Sequence, residues 1–120
     1  MRLPGRRLVF TNGDARHADR VLERLGLEGA FEAIFHIAAA DYVPKPNPAT
    51  FARMIAAHSV DPTKTSFFED SEKNLAPAAA IGMTTVLVGP HAAASEAAFV
   101  RYRTDELAAF LMSARVKETA

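Results

Sequence analysis

Hydrophobic and polar positions along the chain switch repeatedly between two periods. Short apolar runs rich in Val, Phe, Ile and Thr stand at residues 7–10, 33–37, 67–68 and 84–88. Between them lie stretches with apolar residues three and four apart. A run of four or five apolar residues bounded by turn signals predicts a buried strand, and a spacing of three and four predicts an amphipathic helix. The first strand opens into the turn signal Thr11-Asn12-Gly13-Asp14. Ala15, Ala18, Val21, Leu22 and Leu25 then line one helical face, and Gly26 stops the helix. A loop over 38–46 follows the second strand. Asn47 caps the next helix and Pro48 takes its first position, where a missing N–H costs nothing. Phe51, Met54, Ile55 and His58 are expected on its buried side. Asp61-Pro62 turns the chain into the Phe67-Phe68 strand. Asn74 is expected to cap a third helix with Pro77 in its first turn, ending at Gly82. A short edge strand is expected over 99–102, and a last helix from Thr104 through Leu107, Phe110 and Leu111. Strands alternating with helices predict an α/β fold, a mostly parallel sheet covered on both faces.

Length and composition narrow the class without changing that picture. At 120 residues the chain predicts a single domain spanning 1–120. Hydrophobic residues make up 49% and charged residues 23%, an ordinary globular balance. Formal net charge is +0 and there is no basic run, so no nucleic-acid partner is expected. There are 0 cysteines, which excludes disulfides and thiolate metal sites and fits a cytoplasmic location. No run reaches membrane-spanning length, so no membrane partner is expected. No G-x-G-x-x-G is present, and the histidines have no metal spacing.

Candidate chemistry sits where strands end. The Phe67-Phe68 run climbs into Glu69 and Asp70, then Ser71 and a polar turn through Asn74. Adjacent carboxylates repel, and a fold that keeps them at the C-terminal edge of a parallel strand has reason to place a hard cation there. Taken alone, the pair reads better as an acidic loop after a strand. Thr11 and Asn12 end the first strand with a hydroxyl, an amide and the backbone N–H groups of a glycine turn, which suit a phosphate oxygen. Lys45 stands between Pro44 and Pro46, a stiffened point charge also suited to phosphate. His17 follows the turn and is expected as a packed or solvated helix residue. Together these strand ends point to phosphoryl chemistry with Mg²⁺ as cofactor and a small phosphorylated substrate.

At these residues the chain resembles the haloacid dehalogenase superfamily of phosphohydrolases. Val9-Phe10-Thr11-Asn12-Gly13 is similar to that family's second motif, Lys45-Pro46-Asn47-Pro48-Ala49-Thr50-Phe51 to its third, and Phe68-Glu69-Asp70-Ser71 with Asn74 to its fourth. The resemblance implies a Rossmann-like three-layer sandwich. Thr11, Asn12 and Lys45 would bind phosphate, with Lys45 also stabilising the nucleophile. Asp70 and Glu69 would hold Mg²⁺, with Ser71 and Asn74 orienting Asp70 and Lys45 from behind. The segments Phe67-Phe68-Glu69-Asp70-Ser71, Gly82-Met83-Thr84-Thr85-Val86-Leu87-Val88 and Tyr102-Arg103-Thr104 are similar to the bacterial pyrimidine 5′-nucleotidase branch. That branch implies hydrolysis of pyrimidine nucleoside 5′-monophosphates through an aspartyl-phosphate.

The resemblance also exposes a departure. Family members open with a strand ending in Asp-x-Asp, which supplies nucleophile and general acid. The aspartates here are Asp14, Asp19, Asp41, Asp61, Asp70 and Asp105, and none forms that motif. The expected fold therefore lacks the central first strand and the cap, with Met1 just before the second motif. Nucleophile and general acid are both missing from this sequence, so no turnover is expected from it alone. A central strand removed from a sheet leaves a slot of about 10 Å between its neighbours. The expected consequence is that the two orphaned strands close on each other, that a strand of another copy fills the slot in a homo-oligomer joined through sheet edges, or that the piece stays loose and aggregation-prone. Two other classes were weighed against this reading. A phosphorylation receiver domain carries its acidic pair first and its Lys-Pro last, the reverse of the order here. A non-catalytic binding or interaction fragment of the same fold stays open.

Overall fold

The computed structural model describes residues 5–27 and 29–105. They form two compact units, one running to His58 and the other starting at Ser59. Each is a strand-and-helix assembly with its own parallel sheet.

In the first unit, β1 (Leu8–Phe10) pairs in parallel with β2 (Ala33–Phe35), Val9 opposite Ile34 and Phe10 opposite Phe35. The crossover between them is α1 (Ala15–Arg24). Asp14 caps it, its carboxylate accepting from the His17 N–H at 2.7 Å. Its far end closes as a paired 5→2 and 6→1 arrangement: Gly26 N–H donates to Glu23 O and Leu27 N–H to Leu22 O. Gly26 sits at φ +71, where a β-carbon is unfavourable. α2 (Pro48–His58) begins with proline as expected, and the Ala49 N–H donates to the Asn47 side chain. Phe35, Phe51 and Met54 are buried. The Phe10 ring meets Phe35 and Phe51 edge-on at centroid distances of 5.6 and 5.0 Å. Ile55 and His58 are only half-buried.

The apolar face expected on α1 is not buried throughout. Ala18 is inside, but Val21 is 40% exposed and Leu25 64%. A helix crossing a two-stranded sheet has less surface to cover it than one on a wide sheet.

In the second unit the sheet order is β3 (Ser66–Glu69), β4 (Thr84–Val88), β5 (Tyr102–Thr104), all parallel. Leu75, Leu87, Ala92 and Val100 form its core, with Phe67, Ala97 and Phe99 packed against them. The edge strand lies at Tyr102–Thr104 rather than over 99–102. Residues 99–101 instead run beside Thr85, whose hydroxyl donates to Phe99 O at 2.6 Å and accepts from the Arg101 N–H at 3.0 Å. α3 (Leu75–Ala80) follows a 3₁₀ turn over Glu72–Asn74, and Asn74 makes no capping bond to it. The helix expected through Leu107, Phe110 and Leu111 lies outside the described residues. Among the described residues no helix is long and apolar enough to cross a membrane. β1 and β3 are both edge strands of their own sheets.

Candidate phosphate and metal site

Parallel pairing sends the C-terminal ends of paired strands to the same edge of a sheet, and that edge is where the first unit gathers its polar residues. Thr11 leaves β1 with its N–H donating to Phe35 O at 3.0 Å. Its hydroxyl accepts from the Gly13 N–H at 3.0 Å, which folds the chain into a tight hydroxyl-closed turn. A β-carbon on Gly13 would come within 3.3 Å of the His17 ring and 3.4 Å of Thr11 Oγ1. His17 thus lies over the turn, one helical turn into α1, a proximity that its place four residues after Gly13 already encoded.

The Asn12 side chain ties this turn to the lysine loop. Its Oδ1 accepts from the Lys45 N–H at 2.7 Å, and its Nδ2 donates to Lys45 O at 3.4 Å. Asn12 therefore braces the backbone of Lys45. Lys45 itself is only 7% exposed. Its Nζ donates to Phe10 O at 2.8 Å and lies 4.8 Å from the centre of the Phe10 ring. The ammonium is thereby fixed at the end of β1, at the foot of the Thr11 turn. The loop between, residues 37–45, is bonded to that turn at both ends, since the Ile37 N–H donates to Gly13 O at 3.0 Å. It carries two non-glycine residues with left-handed backbone, Asp41 (φ 55) and Tyr42 (φ 61). No sequence signal marked either one.

In the second unit β3 delivers Glu69 and Asp70 to different surroundings. Glu69 is buried, 9% exposed. Its Oε2 accepts from the Ser71 N–H at 3.0 Å and its Oε1 from Asn74 Nδ2 at 3.2 Å. Asn74 Oδ1 is buried with no hydrogen-bond partner. Asp70, next along, is exposed at the strand's end. Ser71 and Asn74 thus hold Glu69, and Glu69 in turn fixes the loop from which Asp70 projects.

Mg²⁺ fits this donor set in kind. It takes oxygen ligands and is commonly held by one or two carboxylates, with phosphate and water completing its octahedron. Among the described residues no group of three or more His, Cys, Asp or Glu forms a cage made of protein alone. Of the adjacent carboxylates, Asp70 is the exposed one and Glu69 the buried one. A separate cavity of about 410 Å³ is lined by Asp19, Leu22, Glu23, Gly29, Phe31 and Ile34, and contains none of these residues.

Known proteins share the fold. The chain is similar to a dehalogenase solved as an intermediate complex, with 18% identity and a TM-score of 0.75 over 88% of this chain and 47% of that one. It is similar to a predicted phosphoglycolate phosphatase from Haemophilus somnus, with 20% identity and a TM-score of 0.66 over 89% and 48%. A third similar structure is a haloacid dehalogenase-family enzyme from Bacteroides thetaiotaomicron, a variant solved with magnesium and inorganic phosphate. Identity there is 24% and the TM-score 0.55, over 67% of this chain and 44% of that one. The chain spans about half the length of the structures it matches. These likenesses establish an α/β fold with parallel sheets. A family model described as haloacid dehalogenase-like hydrolase matches residues 2–82, more than half of the sequence, and the chain belongs to that family.

Proposed function

We propose that this chain forms the phosphate- and magnesium-holding part of a phosphomonoester hydrolase acting on small phosphorylated metabolites, pyrimidine nucleoside 5′-monophosphates among them. The observation that carries the reading is the buried Lys45 ammonium, fixed on Phe10 O at the foot of the hydroxyl-closed Thr11–Gly13 turn. An ammonium held in place at a strand end is a point charge suited to a phosphate oxygen. Thr11 and Asn12 would meet two phosphate oxygens, Asn12 while bracing Lys45. Lys45 would offset the negative charge of the ester and of the in-line transition state. In the second unit Asp70, with Glu69 directly or behind it, would hold Mg²⁺. Ser71 and Asn74 keep that loop in shape.

The sequence holds no Asp-x-Asp, so the covalent step through an aspartyl-phosphate needs a carboxylate from outside these residues. That observation favours a second reading, in which the chain binds phosphate without turning it over. Calorimetric titration of the chain with inorganic phosphate in the presence of Mg²⁺ tests the site common to both. Phosphate binding that is lost in Lys45→Ala and Mg²⁺ binding that is lost in Asp70→Asn are expected. Equal binding by the parent chain and Lys45→Ala overturns the assignment. Hydrolysis of cytidine 5′-monophosphate by the 120-residue chain would remove the need for an outside carboxylate.

A further inference from the structure

We propose that Tyr42 selects the organic part of the ligand, its ring stacking on a flat unsaturated ring carried by the phosphomonoester. This rests on the phosphate site proposed above and names the substrate class for it. Three observations converge on the residue.

Tyr42 and its neighbour Asp41 both hold left-handed backbone, at φ 61 and 55. Aspartate tolerates that region through its short polar side chain, but tyrosine has no such compensation and its β-carbon crowds the following carbonyl. The conformation is nevertheless held firmly. The Asp41 N–H donates to Ala38 O at 3.0 Å, the Tyr42 N–H to Ile37 O at 2.8 Å and the Val43 N–H to Ala40 O at 3.1 Å. The outcome of this strain is a ring 71% exposed to solvent. An unfavourable backbone that buries nothing is not explained by packing, and such outliers gather at ligand sites.

Position supplies the ligand. The loop that carries Tyr42 is bonded at one end to Gly13 O and at the other to the Asn12 side chain, the same turn that would hold phosphate. Tyr42 precedes Lys45 by three residues, hence lies within about 10 Å of its backbone. A phosphomonoester seated at Lys45 would extend its leaving group over that distance. An exposed phenol ring is a platform for a planar group, and stacking of this kind tolerates different rings because each has a π-face.

The test titrates the full 120-residue chain with Mg²⁺ and inorganic phosphate, ethyl phosphate, phenyl phosphate or cytidine 5′-monophosphate. The parent chain should bind the two ring-bearing esters about tenfold more tightly than ethyl phosphate. Tyr42→Ala should bring that ratio to about one, and Tyr42→Phe should keep it. A preference for cytidine 5′-monophosphate that phenyl phosphate does not share would place the contact on the sugar or base edge and overturn ring stacking. If the parent chain binds phosphate and ethyl phosphate but binds the ring-bearing esters no more tightly than ethyl phosphate, the inference alone is overturned. No binding of any of the four removes the phosphate site, and the inference with it. Strain gives an independent readout: Tyr42→Gly should raise the thermal midpoint by about 4 °C. A lowered midpoint would make Tyr42 a packing residue and overturn the proposal.

Discussion

The adjacent carboxylates at the end of β3 should behave as opposites when substituted. Glu69 is buried and accepts from the Ser71 N–H and from Asn74 Nδ2. Removing the carboxylate in Glu69→Ala leaves both donors without that acceptor. Asn74 already holds one buried oxygen with no partner, so its amide has little left to share. A buried donor left unsatisfied costs about 1–3 kcal/mol, which gives about 2–5 kcal/mol for the pair once the relief of a buried charge is set against it. Glu69→Gln keeps an acceptor for one donor and turns an amide N–H toward the other, so roughly half that loss is expected. Asp70 is exposed, and Asp70→Asn should cost less than about 1 kcal/mol. With a urea dependence of about 1–3 kcal/mol per molar, Glu69→Ala should lower the unfolding midpoint by about 1–2 M. Asp70→Asn should leave the midpoint nearly unmoved while abolishing Mg²⁺ binding. An Asp70→Asn midpoint lower than that of Glu69→Ala would refute this division of roles.

Thr85→Val, an isosteric change at a fully buried site, removes a donor to Phe99 O and an acceptor from the Arg101 N–H and should cost about 1–3 kcal/mol in chemical denaturation; a neutral result would mean that both groups find other partners. Asp61 accepts from both the hydroxyl and the N–H of Thr63, and the hydroxyl bond is the larger cause that holds its carboxyl below the usual aspartate value. Its folded form favours the ionised state, so its contribution to stability is present above the unfolded aspartate value and is lost as pH falls through the lowered one. A carboxyl-detected NMR titration should show Asp61 ionising below ordinary aspartates and moving up in Thr63→Ala; an unchanged midpoint in that variant would remove the hydroxyl as cause. Because a two-stranded sheet is marginal in water and β1 and β3 are edge strands, the chain should associate with rising concentration in sedimentation. A concentration-independent monomer with one cooperative unfolding transition of ordinary stability would refute that.

Local signals carried most of the fold. Gly26 ends α1 because its φ of +71 is one that glycine alone holds cheaply, and Pro48 starts α2 because its missing N–H has no partner to lose. Thr11 and Asp70 stood out as candidates because a parallel sheet makes every strand end a candidate site, and Lys45 because Pro44 and Pro46 flank it. Asn74 was misread. Its place before Pro77 marks a helix start, but its amide donates to Glu69, five residues earlier, and a tertiary bond outweighs a capping bond. The fifth strand was displaced because residues 99–101 are claimed by Thr85, a pairing fourteen to sixteen residues back that no local pattern records. Asp41 and Tyr42 were silent because neither residue type advertises a left-handed backbone. Only the hydrogen bonds of the closed loop impose it.

Both strand ends follow one physical rule. Each places two polar residues in sequence, spends one on internal bonds and projects the chemistry from its neighbour or partner. At β1, Asn12 uses both ends of its amide on the Lys45 backbone, so the lysine enters its site with the main chain already ordered. At β3, Glu69 uses both oxygens on the Ser71 and Asn74 donors, so Asp70 leaves a loop that is already closed. Ordering the loops before a ligand arrives removes an entropy loss of about 1–2 kcal/mol per residue from the binding step and places it in folding. A sequence selected only for stability would bury an apolar side chain at Glu69, where a polar one needs partners to break even. Its presence is therefore better explained by the neighbouring charge it positions than by the bonds it makes.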